Sequence, residues 1–399
     1  MNIANRLSEQ SRYAEAEQIA DELTQRALDR IAAQAPDGST VVVNPSPHPR
    51  TEVVEIGGMP TEATAPPLGW VVVEAAEAVE ARVFADGTTL RNELLELDLS
   101  SLRIVDGGDY GDSYNYAPPR DDLLVDVPVH EEVTVVEAGP LRARIAARRT
   151  YEWPRRVEPD GSGRSRDTAR VPVELHAELR ASEPFVRLRV SFDNPCDDHR
   201  VRVHVPLAER TDTTRAEGQF AIVERPALQE GGHGEHGLGA YPASAFVAAG
   251  GIALLFEHVA EYELVEGREL AVTVLRSIGL ISRAANPWRV ENAGPELPIP
   301  AAQMHGPHAF SFAWTLDPAR APEHAERYRH PFLTVTGTGG DVREHAGPEL
   351  KGAVLTSFRR RDGALEARVV NETDQPTSAR FGDSAADLRP WEIRTLLLT

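Results

Sequence analysis

The chain has 399 residues with 41% hydrophobic and 26% charged side chains, the balance of a soluble globular protein with room for two or three domains. Its 62 acids against 42 cations leave a formal charge of −20, and no block of Lys or Arg runs free of acids for long, which argues against nucleic acid or an anionic membrane as a partner. No apolar h-region opens the sequence and no stretch of about 18 apolar residues follows, so neither a secretory signal nor a membrane span is expected, and the expected compartment is the cytoplasm.

In residues 5–35, Ala16, Ile19, Ala20, Leu23, Ala27 and Ile31 recur at three- and four-residue spacing against a polar face, which predicts one amphipathic helix ended by Pro36-Asp37-Gly38. No second long helical period follows. The stripe must therefore lie on the sheet below it or on another polypeptide. From Thr40 onward the sequence consists of short Val-rich runs punctuated by Gly, Pro and Asp, among them 41–44, 51–56, 70–74, 142–151, 171–179, 185–192, 201–206, 269–275, 310–316 and 364–371. Strand after strand without intervening helices predicts a mainly β chain of antiparallel sheets packed face to face, with one N-terminal α-helix. Boundaries are expected near residue 38, in the 120s and in the Pro-rich linker 318–332. They divide the chain into a helix (1–38), a small β-sandwich (39–122), a large central β-sandwich (123–330) and a C-terminal β unit (331–399).

Residues 106–122, Asp106-Gly-Gly-Asp-Tyr-Gly-Asp-Ser-Tyr-Asn-Tyr-Ala-Pro-Pro-Arg-Asp-Asp122, form a polar stretch with three tyrosines and five acids. It cannot bury enough apolar surface to hold itself, so the alternating runs 94–105 and 123–136 are expected to frame it as strands. A tyrosine offers a flat apolar face and an edge hydroxyl, which suits a sugar ring. A turn cluster whose tyrosines pack locally fits the composition as well.

Other candidates are weaker. His233, Glu235 and His236 are metal-ligand types, but in a glycine-rich loop they have no rigid support and read as a solvated loop. Cys196, the single cysteine, lies in Asn194-Pro-Cys-Asp-Asp198, where neighbouring carboxylates disfavour a thiolate. His199 beside Asp197 and Asp198 reads either as a base oriented by a carboxylate or as part of a hairpin turn. Arg276, in an otherwise apolar run, must pair with a carboxylate or face a cleft. No carboxylate pair for glycoside hydrolysis can be chosen by spacing among 62 acids.

Several stretches carry a resemblance in order along the chain: Arg12-Tyr-Ala-Glu-Ala-Glu-Gln-Ile-Ala20, Val41-Val-Val-Asn-Pro-Ser-Pro-His-Pro-Arg50, Gly111-Asp-Ser-Tyr-Asn-Tyr-Ala-Pro-Pro119, Asp198-His-Arg-Val-Arg202, Ala271-Val-Thr-Val-Leu-Arg-Ser-Ile-Gly279, Ala293-Gly-Pro-Glu-Leu-Pro298 with Gln303, and Leu388-Arg-Pro-Trp-Glu-Ile-Arg-Thr-Leu396. Together they resemble the C-terminal, all-β half of the glycoside hydrolase family 38 α-mannosidases. The resemblance implies β-sandwich domains of the galactose mutarotase-like super-sandwich type after the last helix of a helical bundle. It implies an α-mannoside ligand, with Tyr114, Asp112 and Arg276 as substrate-binding residues.

It also implies that the zinc ion and aspartate nucleophile belong to an N-terminal catalytic domain that these residues do not contain. No cofactor is then expected in this chain, and the chain alone is expected to be inactive. The implied partner is a separately encoded catalytic-domain polypeptide docking on helix 5–35. Two other classes remain open, a stand-alone carbohydrate-binding or scaffold protein and a mutarotase-like sugar isomerase using His204, His199 or His176 as its acid.

Overall fold

The structure, a computed structural model, describes residues 3–74 and 80–398. Strands dominate, and they group into two compact units, Met1–Val79 with His330–Thr399, and Glu80–Arg329. The expected cuts at 38 and in the 120s fall inside these units. Pairing is the reason, because strand Thr40–Asn44 lies between Gly69–Val73 and Leu333–Thr336 in one sheet, so early and late parts of the chain share a core. Likewise Arg103–Gly108 pairs with His199–Pro206, which ties the residues before 122 to the central unit.

In the first unit the helix α1 runs over Ile3–Ala32. Its last turns place Leu28 and Ile31 against Val41, Val43 and Trp70. Ile19 and Leu23, higher on the same stripe, are 51% and 58% exposed. The helix stops where the chain past 336 captures its open carbonyls: the Thr338 amide donates to Ala32 and the Val342 amide to Gln34, both at 2.9 Å. The last fifty residues fold as two three-stranded sheets around Leu350, Phe381, Leu388 and Leu396.

The second unit is a sandwich of two antiparallel sheets. The larger has nine strands, in the order Ile222–Pro226, Thr213–Glu217, Phe246–Ala249, Ile252–Phe256, Gly306–Thr315, Val186–Asn194, Thr168–Arg180, Arg142–Pro154 and His130–Ala138. The smaller has five, in the order Ala240–Ala243, Ala260–Val265, Glu269–Ser277, His199–Pro206 and Arg103–Gly108. Strict alternation makes the layers. In Thr168–Arg180 every second residue, from Ala169 through Val173 to Leu179, is buried while the others face outward. The inner faces meet where the Trp153 ring lies 5.7 Å from His199 and where Thr214 Oγ1 and Tyr262 OH share a hydrogen bond of 2.8 Å.

A second helix, α2 (Ala321–Arg329), occupies the expected linker. Pro318 and Pro322 suggested a break, but both stand at helix starts, where a missing amide hydrogen costs nothing. Ala321, Ala325 and Tyr328 bury against Phe185, Phe246 and Leu255, and this packing holds so short a helix. No helix among the described residues is long and apolar enough to cross a membrane.

Candidate functional site

The frame of the 106–122 loop is shorter than the alternation suggested. Ahead of it lie a three-residue strand Glu96–Asp98, the 3-10 turn Leu99–Ser101 and the strand Arg103–Gly108; behind it, regular structure resumes only at His130–Ala138. The loop is fastened instead by its own aspartates. Fully buried Asp109 accepts from the Gly111 and Ala117 amides at 2.8 and 3.2 Å and pairs with Arg276 Nε at 2.6 Å. Arg276 Nη2 also donates to the Asp112 carbonyl at 2.6 Å. The turn is so tight that a Cβ on Gly111 would stand 2.0 Å from the Asn115 carbonyl oxygen.

Asp112 is equally buried and accepts from the amides of Tyr114, Asn115 and Arg283 at 3.0, 3.1 and 2.7 Å. Its carboxylate meets the Arg289 guanidinium through both oxygens, and Arg289 Nη1 reaches Asn115 Oδ1 at 2.6 Å. Burial pushes the Asp112 carboxyl up, but Arg289 and the three amides outweigh it and hold it below the usual range. Asp109 goes the other way: burial raises it, against the pull of Arg276.

An arginine covers each tyrosine of the loop. Arg283 lies 3.8 Å from the Tyr110 ring centre, Arg289 5.6 Å from Tyr114 and Arg200 3.5 Å from Tyr116. The environments differ. Tyr110 donates its hydroxyl to the Pro159 carbonyl at 3.3 Å, Tyr116 is half-buried, and Tyr114 is 55% exposed at the tip. Gly294 flanks that tip, since a Cβ there would lie 3.1 Å from the Tyr114 hydroxyl.

Of the stretches that carried the resemblance, 111–119, 198–202, 271–279 and the one that includes Gln303 meet here. The Asp109 amide donates to the Asp198 carbonyl at 2.8 Å, Gln303 clasps Asp198 through its amide at 2.9 Å and its carboxylate at 2.8 Å, and Ser277 Oγ donates to Gln303 Oε1 at 2.8 Å.

Of the three expected site residues, Tyr114 is accessible, while Asp112 and Arg276 stand behind it as anchors of the loop. Arg289, Asp109 and Asn115 complete the arrangement, and sequence reasoning missed them. No spacing signal links Arg289 to Asp112, 177 residues away. Arg289 Nε, behind the tip, is a buried donor without a hydrogen-bond partner among the described residues, as are Asn286 Nδ2 and Trp288 Nε1 on the segment that leads to it. Donors of this kind suit an oxygen-rich ligand. Neither aspartate can act as an acid or nucleophile at the tip, because both are enclosed and committed to arginines.

The remaining candidates lie elsewhere or are spent. His199 is fully buried, with Nδ1 2.6 Å from Asp106 and Nε2 2.9 Å from Asn194, so its carboxylate partner is Asp106 and not its chain neighbours. His204 is buried against Glu269 at 2.8 Å; His176 faces outward, 3.4 Å from Glu174. Burial, helped by Asp106, pushes the Cys196 thiol up to about 12. His233, Glu235 and His236 are exposed on a loop bridged to the segment that carries Arg289. Among the described residues no group of three or more His, Cys, Asp or Glu is placed to hold a metal ion, so they do not fit a zinc site.

No family model matches the chain. A stretch of 206 residues is 25% identical to the "Putative mannosylglycerate hydrolase" of Halalkalibacterium halodurans, covering 44% of this chain and 21% of that protein. The structure superposes on an α-mannosidase from Enterococcus faecalis V583 with a TM-score of 0.78 and 17% identity, over 99% of this chain and 60% of that one. A glycosyl hydrolase family 38 protein from Enterococcus faecalis matches with a TM-score of 0.78 and 17% identity, over 98% of this chain and 62% of that one. The fold is that of part of a family 38 α-mannosidase. The chain therefore spans about 60% of these family 38 structures and a smaller share, 21%, of the curated relative.

Proposed function

We propose that the chain is the β-sandwich portion of an α-mannosidase-like glycoside hydrolase, binding an α-mannoside at the Tyr114 loop beside a zinc catalytic domain that lies outside these 399 residues. The observation that carries this reading is the half-exposed Tyr114 tip, fixed from behind by the Asp112–Arg289 pair at the point where separate family-like motifs meet. Tyr114 supplies one ring contact and one hydroxyl to the sugar. Asp112 and Arg276 set the position of that ring. The exposed Ile19 and Leu23 stripe of α1 is the docking face for the catalytic domain, since an uncovered apolar stripe otherwise favours aggregation. The assembly works in the cytoplasm, in mannose metabolism.

The test is hydrolysis of an aryl α-mannoside by the purified chain and by the chain co-purified with its catalytic domain. The expected result is zinc-dependent turnover by the complex alone, with complex formation abolished by Ile19→Glu combined with Leu23→Glu. Zinc-dependent turnover by the pure chain, or a complex indifferent to the double substitution, overturns the corresponding part of the proposal. Mannoside binding without hydrolysis in either preparation favours a stand-alone carbohydrate-binding protein.

A further inference from the structure

The outward face of the nine-stranded sheet carries a hollow of about 400 Å³, floored by strands Arg142–Pro154, Thr168–Arg180, Val186–Asn194 and Gly306–Thr315 and walled at one end by Tyr328 of α2. A second hollow of about 180 Å³ shares His176 with it and continues toward the His130–Ala138 edge. Strand register makes the depression. Across the four strands one row reads Ala146, His176, Arg189, Ser311, with a small side chain at each end. One neighbouring row reads Arg144, Glu178, Arg187, Ala313, so bulk rises around the gap on that side.

Among the charged side chains that line the hollow, all but Arg189, at the centre of the floor, have a partner among the described residues. Arg144 holds Glu178 at 2.5 Å, Arg187 holds Glu183 at 2.6 Å between the Phe185 and Tyr328 rings, and Glu257 bonds the Tyr328 hydroxyl. Arg189 has His176 on one flank and Ser311 on the other, and its side chain makes no hydrogen bond or ion pair among the described residues. No acid stands directly across from this guanidinium in the strand register, and the two acids that line the same hollow are engaged elsewhere, Glu178 with Arg144 and Glu257 with the Tyr328 hydroxyl. A guanidinium presents a planar fork that fits a carboxylate through two parallel hydrogen bonds. Histidine and serine beside it offer donors and acceptors for hydroxyls. The volume is at the small end of ligand pockets, room for one or two sugar rings and too little for a docking helix.

We propose that this hollow binds a small carboxylate-bearing saccharide of the uronic acid type, with its carboxylate on Arg189 and its hydroxyls on His176 and Ser311. The site is separate from the Tyr114 loop, which caps strands of the other sheet. Strand pairing fixes the backbone under these side chains before the ligand arrives, so binding has to order only the side chains themselves.

Calorimetric titration of the whole chain with D-glucuronate, D-glucose and inorganic phosphate tests the assignment. Glucuronate should bind saturably, at least tenfold more tightly than either glucose or phosphate. Arg189→Ala should weaken it at least tenfold, and Arg189→Lys less, since charge remains and the fork is lost. Ser311→Trp fills the hollow from its floor and should block binding with little change in melting temperature, while Tyr114→Phe should leave glucuronate affinity unchanged. Absence of glucuronate binding, glucose or phosphate binding as tight as glucuronate, or affinity indifferent to Arg189→Ala in a variant that melts normally overturns the proposal. An equal loss from Tyr114→Phe overturns the separation of the two sites.

Discussion

Asp106, in the strand Arg103–Gly108, and Asp112, in the loop that follows it, are both fully buried and both paired with an arginine, yet they do different work. Asp106 faces the space between the two sheets, where Arg164, 1% exposed, and the buried His199 each approach it to 2.6 Å. Asn194 closes the far side of that imidazole and the Trp153 ring lies beside it, so every partner is interior. Asp112 binds Arg289 in the same chemical fashion, but its other partners are amides of a turn whose tip, Tyr114, is exposed. A buried ion pair is therefore not a sign of a site by itself. What separates the two is the structure each pair holds in place, the meeting of two sheets in one case and the position of a surface ring in the other.

The largest expected effect comes from breaking the closed cluster. Asp106→Asn leaves Arg164 without its counter-charge and His199 without its carboxylate partner, and uncompensated buried charge costs roughly 3–5 kcal/mol. Urea denaturation should show that loss as a fall in the midpoint of the second unit. A shift under about 1 kcal/mol would mean that the neutral amide satisfies the cluster.

A pH series separates the loop from the rest of the core. Burial, with Arg202 adding to it, lowers His204 from an ordinary 6.5 to about 4. The unfolded chain then takes up this proton before the folded one does. Its contribution is complete above about pH 6.5 and is lost as the pH falls to about 4, on the order of 2–3 kcal/mol. Asp112 is depressed instead, so its contribution is present above the ordinary carboxylate value of 3.8 and is lost only as the pH falls through its lower folded value. Between pH 6.5 and 4.5, melting temperature should decline while the protection of the Asp112-held Tyr114 and Asn115 amides, taken relative to the intrinsic exchange rate at each pH, stays constant, and His204→Gln should flatten the decline. Loop exchange rising in step with the fall in melting temperature would contradict this assignment.

Asp112→Asn comes next. Three amide donors remain for the new side chain, but Arg289 loses its charge partner, so a cost of about 1–3 kcal/mol is expected, expressed as local opening. Exchange of the 110–117 amides should accelerate about tenfold or more while the global midpoint moves less than with Asp106→Asn. An equal global loss from both substitutions would erase the distinction between a closed cluster and a surface anchor.

What could be read from the sequence was whatever rests on local periodicity. The alternation of Thr168–Arg180 and the three- and four-residue spacing in α1 each depend on neighbours along the chain, and each predicted its element. Arg276 in an apolar run announced that it needed a carboxylate, though not that Asp109 would be the one. The Asp112–Arg289 pair was invisible because a contact across 177 residues leaves no spacing. The α2 segment resembled a linker because its stability comes from Phe185 and Leu255, far away in sequence, and not from its own propensity. The resemblance supplied what periodicity could not, the nomination of Tyr114. Alternation along an extended chain does not separate Tyr114 from Tyr116, because the Asp112 amide bonds the Asn115 carbonyl and folds the segment into a turn.

The smallest effect on stability belongs to the tyrosines, and it bears most directly on function. Tyr114→Phe removes one hydroxyl and keeps the ring beside Arg289; Tyr116→Phe does the same and keeps the ring under Arg200, 3.5 Å from its centre. Neither hydroxyl anchors the loop, which Asp109 and Asp112 already hold, so each change should alter stability by less than about 0.5 kcal/mol. Activity should separate them. On the proposed function, a complex with the catalytic domain should lose one hydrogen bond to the sugar in Tyr114→Phe, roughly 1–2 kcal/mol, a five- to thirtyfold loss of kcat/KM. Tyr114→Ala removes the ring contact as well and should lose more. Tyr116, half-buried beneath its arginine, has no route to a ligand at the tip, so Tyr116→Phe should retain nearly full activity. Equal losses from the two phenylalanine variants, or a marked drop in melting temperature for Tyr114→Phe, would show that both rings serve packing and that Asp112, like Asp106, anchors structure alone.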